Sequence, residues 1–212
     1  MVKGVGRRGR ADPEGGRGVR IFLAGASGVI GVRLIPLLLG AGHVVAGLTR
    51  SAAGGEAVRG LGAQPVVGDV FAAAALAAAV TAFQPELVLH QLSDLPDEAA
   101  RILEYAARNS RIRTEGTRNL LAAAQAAGAG RFLAQSLAWT PRSAGAAVAE
   151  HERLVLAAGG VVLRYGAFYG PGTYSGTERL PLAPRIHVDE AARRTLEALE
   201  APTGVITVVE GP

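Results

Sequence analysis

Short apolar runs alternate along the chain with longer stretches in which apolar residues recur every three or four positions. The short runs are rich in β-branched residues and end at glycine or polar residues, as buried strands do, whereas the longer period is typical of helices. The predicted strands are 19–24, 43–48, 64–67, 87–90, 131–135, 161–165 and 204–209. The predicted helices are 29–39, 56–61, 72–82, 97–127 with a break near 109–110, 148–157 and 189–199. This alternation predicts an α/β fold, a Rossmann-type doubly wound parallel sheet with helices on both faces.

A glycine-rich turn joins the first predicted strand to the first predicted helix. Its residues are Gly25, Ala26, Ser27, Gly28, Val29, Ile30 and Gly31. Gly25 permits a tight turn, Gly28 lets a pyrophosphate approach the backbone, and Gly31 lets the helix pack closely on the strand. The helix N-terminus adds amide donors. Because the turn opens a βαβ unit, it predicts a nicotinamide dinucleotide site rather than a merely structural turn.

The ends of the second and third strands bear on the choice of dinucleotide. An NAD site places an acidic residue after the second strand, whereas this chain has Thr49 and Arg50, which suit a 2′-phosphate. We therefore expect NADP, with NAD as the second choice; an ordinary solvated loop arginine is the alternative for Arg50. Asp69, followed by Val70, could accept a hydrogen bond from the adenine amino group or be an ordinary loop aspartate.

The carboxyl end of the fourth predicted strand is a further candidate, because ligands bind at that edge of a doubly wound sheet. His90, Gln91 and Leu92 follow this strand and are predicted cofactor contacts. His90 could contact the ribose or act as a proton shuttle. A structural histidine with a backbone partner is the alternative.

The excess positive charge of the chain lies in its first 20 residues. The chain has 212 residues, a formal charge of +4 and no cysteine, which excludes a disulfide framework, thiol catalysis and a cysteine zinc site. Of its 22 basic and 18 acidic residues, six and two lie in residues 1–20, so the rest carries sixteen of each. We expect residues 1–18 to be a flexible Gly/Arg-rich leader and residues 19–212 an NAD(P)-binding Rossmann domain. Nucleic-acid contact is a weaker alternative, confined to the leader.

No apolar run reaches the roughly 18 residues of a membrane-spanning helix, so we expect no membrane segment and a cytoplasmic location. The four histidines are scattered, and His151 with its acidic neighbours in 150–152 is typical of a solvated helix face. We therefore predict no metal site.

Several segments, together with the glycine turn, resemble the extended and atypical epimerase/dehydratase branch of the short-chain dehydrogenase/reductase superfamily. They are residues 88–92, 115–121, 134–136, 163–172 and 186–191. The resemblance implies an NAD(P)-dependent oxidoreductase or epimerase/dehydratase-like enzyme acting on a small carbonyl or hydroxyl substrate, which remains unidentified. It also implies a homodimer formed through the helix that holds Gly116 and Thr117.

The chain departs from this family in its proton chemistry. The family uses a tyrosine and a lysine four residues later, whereas this chain has one lysine, Lys3, and no tyrosine between Tyr105 and Tyr165. Arg113 replaces an asparagine that is usual in the family. The segment after Ser136 is short and the chain stops just after its last strand, so we expect a reduced C-terminal substrate region.

Two hydroxyls remain as catalytic candidates. Ser136 matches the family position that hydrogen-bonds the substrate carbonyl, although a serine at a strand end is common. Tyr169 is the best available phenol, but without a cationic neighbour its pKa should stay near 10, which makes it a poor general base at neutral pH. A tyrosine in this position is more often a packing aromatic. A catalytically silent NADP-binding sensor or partner protein is therefore the alternative function.

Overall fold

A single seven-stranded parallel sheet forms the centre of the protein. The structure is a computed structural model that describes residues 18–96, 98–141, 144–176 and 180–211, so the predicted leader lies outside the described residues except for Gly18. The sheet strands are β1 (Arg20–Ala24), β2 (Val44–Thr49), β3 (Gln64–Val67), β4 (Leu87–His90), β5 (Arg131–Leu137), β6 (Val161–Tyr165) and β9 (Gly204–Val208). Their order is β3-β2-β1-β4-β5-β6-β9. The predicted doubly wound α/β fold is confirmed.

Helices cover both faces of the sheet. They are α1 (Gly31–Gly40), α2 (Ala52–Gly60), α3 (Ala73–Phe83), α4 (Ala106–Arg111), α5 (Thr117–Ala126), α6 (Gly145–Ala157) and α7 (Val188–Glu197). One apolar core lies between the sheet and α1, α2 and α7, and a second lies between the sheet and α3, α5 and α6. Alternate strand residues point into the two cores, as in β1, where Leu23 enters the first and Phe22 the second.

The order in which strands are added to the sheet reverses at β1, which lies between β2 and β4. From β1 the chain proceeds outward through β2 and β3, and then returns to β4 and proceeds the other way. Such a switch point leaves a crevice at the carboxyl ends of the two central strands, where ligands bind in open α/β sheets. The glycine turn and the residues after β4 both lie at this crevice.

Two predicted helices differ from the observed ones. Helix α2 begins at Ala52 rather than at residue 56, because Ser51 caps it by accepting a hydrogen bond from the Gly54 amide at 3.0 Å. The predicted long helix is instead a 3₁₀ segment (Ala99–Tyr105), α4, a π-helical turn (Ile112–Gly116) and α5. The irregular turn therefore follows the predicted break by a few residues.

Two three-residue strands were not predicted. They are β7 (Ala167–Tyr169) and β8 (Arg185–His187), which form a separate two-stranded sheet. Strands this short carry too few alternating positions to produce a pattern in the sequence. Among the described residues, no helix is long and apolar enough to cross a membrane.

Candidate active site

The glycine turn is fastened to both neighbouring strand ends. The Gly25 and Ala26 amides each donate to the Leu48 carbonyl of β2 at 3.1 Å, and the Gln91 amide donates to the Ala24 carbonyl at 2.8 Å. The turn, the end of β2 and the residues after β4 are therefore held together as one rigid edge of the crevice.

The three glycines of the turn fit a bound dinucleotide in different ways. A Cβ atom would lie 2.6 Å from the Gln91 carbonyl oxygen at Gly25, and 2.3 Å from the Gly25 carbonyl oxygen at Gly31. These two positions exclude a side chain because backbone packs against backbone. At Gly28 only the Gly25 oxygen lies within 4 Å of such an atom, at 3.3 Å. The space over Gly28 is open, which is the shape that a pyrophosphate requires. The remaining predicted turn residues differ in exposure, since Ala26 and Ile30 are buried whereas Ser27 and Val29 reach the surface.

The end of β2 carries hydroxyls and a guanidinium rather than a carboxylate. The Ser27 and Thr49 hydroxyls are 2.7 Å apart and hydrogen-bonded. Arg50 bonds Asp94 at 3.1 Å, yet 58% of its side chain stays exposed. Asp94 also pairs with Arg108 at 2.7 Å, so Arg50 is oriented without being enclosed.

The residues after β3 border the same crevice. The exposed Asp69 accepts a hydrogen bond from the Phe71 amide at 2.9 Å, which forms a local turn. Val70 is buried, and its carbonyl accepts a hydrogen bond from the Asn119 amide group at 3.0 Å. The structure thus places Asp69 at the surface and uses Val70 to attach this loop to α5.

The His90 side chain belongs to a buried chain of hydrogen bonds. The Leu92 amide can only donate, so His90 Nδ1 accepts from it at 3.3 Å and His90 Nε2 carries the hydrogen. At the other end the Gln135 carbonyl can only accept, so His151 Nε2 donates to it at 2.9 Å. The Thr117 hydroxyl lies between the rings, 3.1 Å from His90 Nε2 and 2.7 Å from His151 Nδ1. It therefore accepts from His90 and donates to His151.

Both rings of this histidine chain are neutral at neutral pH. Burial lowers the pKa of His90 well below its usual value, and repulsion from His151, when that ring is protonated, and from Arg113 lowers it further. Burial and the Arg113 charge lower the pKa of His151 to about 4. Because every ring nitrogen already has a partner, the arrangement matches the structural alternative for His90 and leaves no nitrogen directed to solvent.

Gln91 and Leu92 extend the fourth strand into the crevice. The buried Gln91 carboxamide donates to the Tyr165 hydroxyl at 3.3 Å, and its oxygen has no hydrogen-bond partner among the described residues. The Leu92 carbonyl accepts a hydrogen bond from the Gln135 side chain at 2.8 Å. Burial raises the pKa of Tyr165 to about 12, so this phenol keeps its proton.

Ser136 is held by a carboxylate that the sequence pattern did not reveal. Its hydroxyl donates to Glu152 Oε1 at 2.6 Å, and Arg164 donates to the same carboxylate through Nε at 2.9 Å and Nη2 at 2.5 Å. Burial alone would raise the pKa of Glu152, but the hydrogen bonds from Arg164 and Ser136 outweigh it and lower that pKa. We call these three residues the Glu152 cluster.

The predicted solvated face at 150–152 is wrong for two of its three residues. His151 is 1% exposed and Glu152 is 8% exposed, whereas Glu150 forms surface ion pairs with Arg118 and Arg153. A signal was present in the sequence, because 151 and 152 occupy the inner positions of the helical stripe that Val148 begins and Val155 continues. Among the described residues, no group of three ligating side chains is arranged to hold a metal ion.

Tyr169 lies on the small sheet and not in the Glu152 cluster. Its hydroxyl donates to the Glu210 carboxylate, and its ring packs edge-on against His187 with centroids 5.1 Å apart. The hydrogen bond to Glu210 is the main cause of a raised Tyr169 pKa. The two predicted catalytic hydroxyls are therefore held by different carboxylates.

Comparison with known proteins shows the family to which this chain belongs. The model of the NAD dependent epimerase/dehydratase family matches residues 21–141, which cover β1 to β5 and the loop after β5. This chain belongs to the NAD dependent epimerase/dehydratase family. The resemblance inferred from the sequence is thereby confirmed.

Individual relatives within and around this family differ in activity. A Streptomyces 3-diazoavenalumate denitrifying reductase is 37% identical over a 241-position alignment that covers 91% of this chain and 76% of that protein. A Mycolicibacterium neoaurum 3-beta-hydroxysteroid dehydrogenase is 33% identical over 118 positions, covering 54% of this chain and 31% of that protein. The Thermus thermophilus UDP-glucose 4-epimerase, crystallised with NAD, superposes with a TM-score of 0.76 at 23% identity, covering 91% of this chain and 78% of that chain.

Family membership confirms the predicted NAD(P)-dependent oxidoreductase or epimerase-like function and does not favour a catalytically silent binding protein. The structure shows where this chain departs from the family pattern, in the missing tyrosine–lysine pair and at Arg113. Helix α6, which carries Glu152 beside Ser136, contains neither a tyrosine nor a lysine. Arg113, in the π-helical turn, lies close enough to Glu152 for the two charges to interact.

Proposed function

We propose that this protein is an NADP-dependent reductase that delivers hydride to an electrophilic carbon without a proton from the protein. A reduced nicotinamide dinucleotide, held by its pyrophosphate at the glycine turn, would supply the hydride. The glycine turn and the residues after β2, β3 and β4 hold the dinucleotide, and Ser136 lies where the substrate is oriented.

The observation that carries the proposal is the chemistry of the Glu152 cluster. The lowered pKa of Glu152 leaves its carboxylate ionised, Arg164 remains protonated, and the Ser136 hydrogen is directed to Glu152. Val148 contributes no polar group. Oxidising a hydroxyl or reducing a carbonyl requires a proton to leave or reach oxygen, and this cluster offers no group suited to exchange it at neutral pH.

An electrophile with a neutral leaving group avoids that requirement. When hydride replaces the nitrogen of an aryl diazonium group, a C–H bond forms, the C–N bond breaks, and its electron pair departs with dinitrogen. No proton is transferred, so a site without the tyrosine–lysine pair can support the reaction. The reductase relative, whose name describes reductive removal of nitrogen from a diazo compound, supports the same substrate class for this chain.

The test is an isotope-labelled turnover experiment with an ortho-diazophenol and the reduced dinucleotide. We expect one dinitrogen released per hydride donor oxidised, deuterium from the labelled cofactor at the former C–N carbon, and no solvent deuterium there. The Gly28→Val variant, which fills the open space over the turn, is the non-binding control. Cofactor binding without turnover of this substrate would overturn the reductase proposal, as would faster turnover of an alcohol or a nucleotide sugar.

The preference for NADP rests on Arg50. Its guanidinium is oriented by Asp94 yet largely exposed, and the neighbouring Thr49 leaves no carboxylate to bind ribose hydroxyls. We expect Arg50→Gln to weaken NADPH binding about tenfold and to leave NADH binding nearly unchanged. Equal losses for both dinucleotides would contradict the preference. Arg59→Gln, an exposed arginine on α2, is the matched control.

A homodimer and a cytoplasmic location remain predictions. The exposed Leu103, at 77%, lies on the 3₁₀ segment that precedes α4 and so supports association along this side of the molecule. Light scattering of the wild type and of Leu103→Glu distinguishes a dimer through this surface from a monomer.

A further inference from the structure

Two arginines share a buried carboxylate at the edge of the crevice. Asp94 lies in the segment after β4, and only 8% of its side chain is exposed. Its Oδ1 atom pairs with Arg50 Nη2 at 3.1 Å, and its Oδ2 atom pairs with Arg108 Nε at 2.7 Å. Arg50 follows β2 and Asp94 follows β4, so their contact joins the strand ends on either side of the glycine turn. We call these three residues the Asp94 cluster.

The Asp94 cluster is fixed in position by helix α4 and the residue before it. The Asp94 amide donates to Asn109 Oδ1 at 2.9 Å, and Asn109 Nδ2 donates to the Asp94 carbonyl at 2.5 Å. The Arg108 guanidinium packs over the Tyr105 ring, 4.6 Å from its centre. Nevertheless 58% of the Arg50 side chain and 55% of the Arg108 side chain are exposed. A guanidinium carries more N–H donors than one carboxylate oxygen accepts, so donors of both arginines remain available to a ligand.

The formal charges of the Asp94 cluster add up to one positive charge. Arg50 on its own is balanced by Asp94 and would attract a phosphate only weakly. Arg108 supplies the excess, and in the described part of the chain no second carboxylate forms an ion pair with either arginine. The 2′-phosphate that distinguishes NADP from NAD carries roughly −1.5 to −2 charges at neutral pH, as other phosphate monoesters do. A site for this phosphate is therefore incomplete with Arg50 alone.

We propose that Arg108 is a specificity-determining residue for NADP and binds the 2′-phosphate of the dinucleotide together with Arg50. Two guanidinium groups held next to each other on one carboxylate can donate several charge-assisted hydrogen bonds to a single phosphate. This inference rests on the proposed NADP preference and deepens it, since it adds a residue from a distant helix to the site at the end of β2.

Three nucleotides without nicotinamide separate the phosphates of the cofactor. Adenosine 2′,5′-bisphosphate, 5′-AMP and ADP are titrated against the full chain by calorimetry at low salt. The bisphosphate compared with AMP measures the contribution of the 2′-phosphate, whereas ADP compared with AMP measures that of the second phosphate of the pyrophosphate. We expect the bisphosphate to bind at least about tenfold more tightly than AMP, and this preference to weaken as salt is raised.

Arg108→Gln should reduce the preference for the bisphosphate about fivefold and change the affinities of AMP and ADP by less than about twofold. Arg108→Lys, which keeps the charge but loses the planar fork, should retain an intermediate preference. The matched control is Arg101→Gln, because Arg101 packs over the same Tyr105 ring but pairs with Glu104 instead of Asp94. This control should retain the full preference. Thermal melts establish that each variant is folded.

An undiminished preference in Arg108→Gln would overturn the inference. So would an equal loss for ADP and the bisphosphate, which would make Arg108 a pyrophosphate contact, or equal binding of the bisphosphate and AMP by the wild type. A preference that is lost in Arg50→Gln but kept in Arg108→Gln would remove the role of Arg108 and leave the proposed NADP preference standing. The three nucleotides undergo no hydride transfer, so an absence of diazo reduction would remove the reductase proposal and not this inference.

Discussion

The Ser136 hydroxyl donates a hydrogen bond of 2.6 Å to the Glu152 carboxylate. This contact ties the serine to an anion that also accepts hydrogen bonds from two nitrogens of the Arg164 guanidinium. A hydroxyl held in this way is directed and polarised, but it exchanges no proton with its neighbours at neutral pH. The reaction assigned to the site follows from that restriction.

Removing the Glu152 charge should destabilise the protein moderately. In Glu152→Gln, Arg164 loses its partner and the Ser136 hydrogen bond weakens. We expect a loss of about 1–2 kcal/mol in the free energy of unfolding, below the roughly 3–5 kcal/mol of a fully buried pair because Arg164 is 42% exposed. Urea unfolding measures the change. Glu150→Gln, on the outer face of α6, is the control and should change the free energy of unfolding less than Glu152→Gln does.

The buried histidines should make the protein sensitive to mild acid. Above pH 6.5 neither the folded nor the unfolded chain protonates His151, so its contribution to stability is complete. Below pH 6.5 the unfolded chain takes up a proton that the folded chain refuses until the pH reaches about 4. Stability should therefore fall across this window by up to about 3 kcal/mol for His151 alone.

Urea unfolding at several pH values between 7.5 and 4.5 measures this loss. His151→Gln should flatten the pH dependence, whereas His43→Asn, outside the buried hydrogen-bond chain, should keep it. A stability that is constant between pH 7 and pH 5 would contradict the assigned neutral state of the two rings.

The Thr117 hydroxyl should contribute more to the stability of the protein than the Thr117 methyl group does. Thr117→Val removes the oxygen that accepts from His90 and donates to His151, leaving two buried ring nitrogens without partners. We expect a cost of about 2–4 kcal/mol, since each unsatisfied group costs about 1–3 kcal/mol. Thr117→Ser keeps the hydroxyl and should cost about 1 kcal/mol from the lost methyl. Equal stability of the two variants in a thermal melt would show that the hydrogen-bond chain does not stabilise the protein.

Substitutions at two glycines of the turn should affect protein stability and dinucleotide affinity differently. Gly31→Ala places a Cβ atom 2.3 Å from the Gly25 oxygen, and we expect it to lower stability by about 3 kcal/mol. Gly28→Ala meets that oxygen only at 3.3 Å and should change stability by under about 1 kcal/mol. Its dinucleotide affinity should nevertheless fall at least about tenfold. Calorimetry and thermal melts of both variants check the contrast, and tight NADPH binding by Gly28→Ala would remove the assigned role of Gly28.

The positions of the site residues could be predicted from the sequence better than their partners. The glycine turn, Arg50 and the residues after β4 could be predicted to lie together because strand ends of a parallel sheet meet at one edge, whatever the side chains are. Glu152 and His151 were assigned to solvent because charged and ionisable residues are seldom fully buried. Their burial depends on partners from β5, β6 and α5, which lie between 12 and 34 residues away in the chain.

Local pattern and composition were enough to determine the α/β class, the seven sheet strands, the glycine-rich turn and the absence of the tyrosine–lysine pair. Each of these depends on residues close together in the chain, or simply on which residue types are present. Only the tertiary structure decided that Ser136 faces a carboxylate and that two histidines share one hydroxyl. Those facts depend on which side chains meet across the sheet, and hydrogen bonding and charge pairing over such distances leave no periodic trace in the sequence.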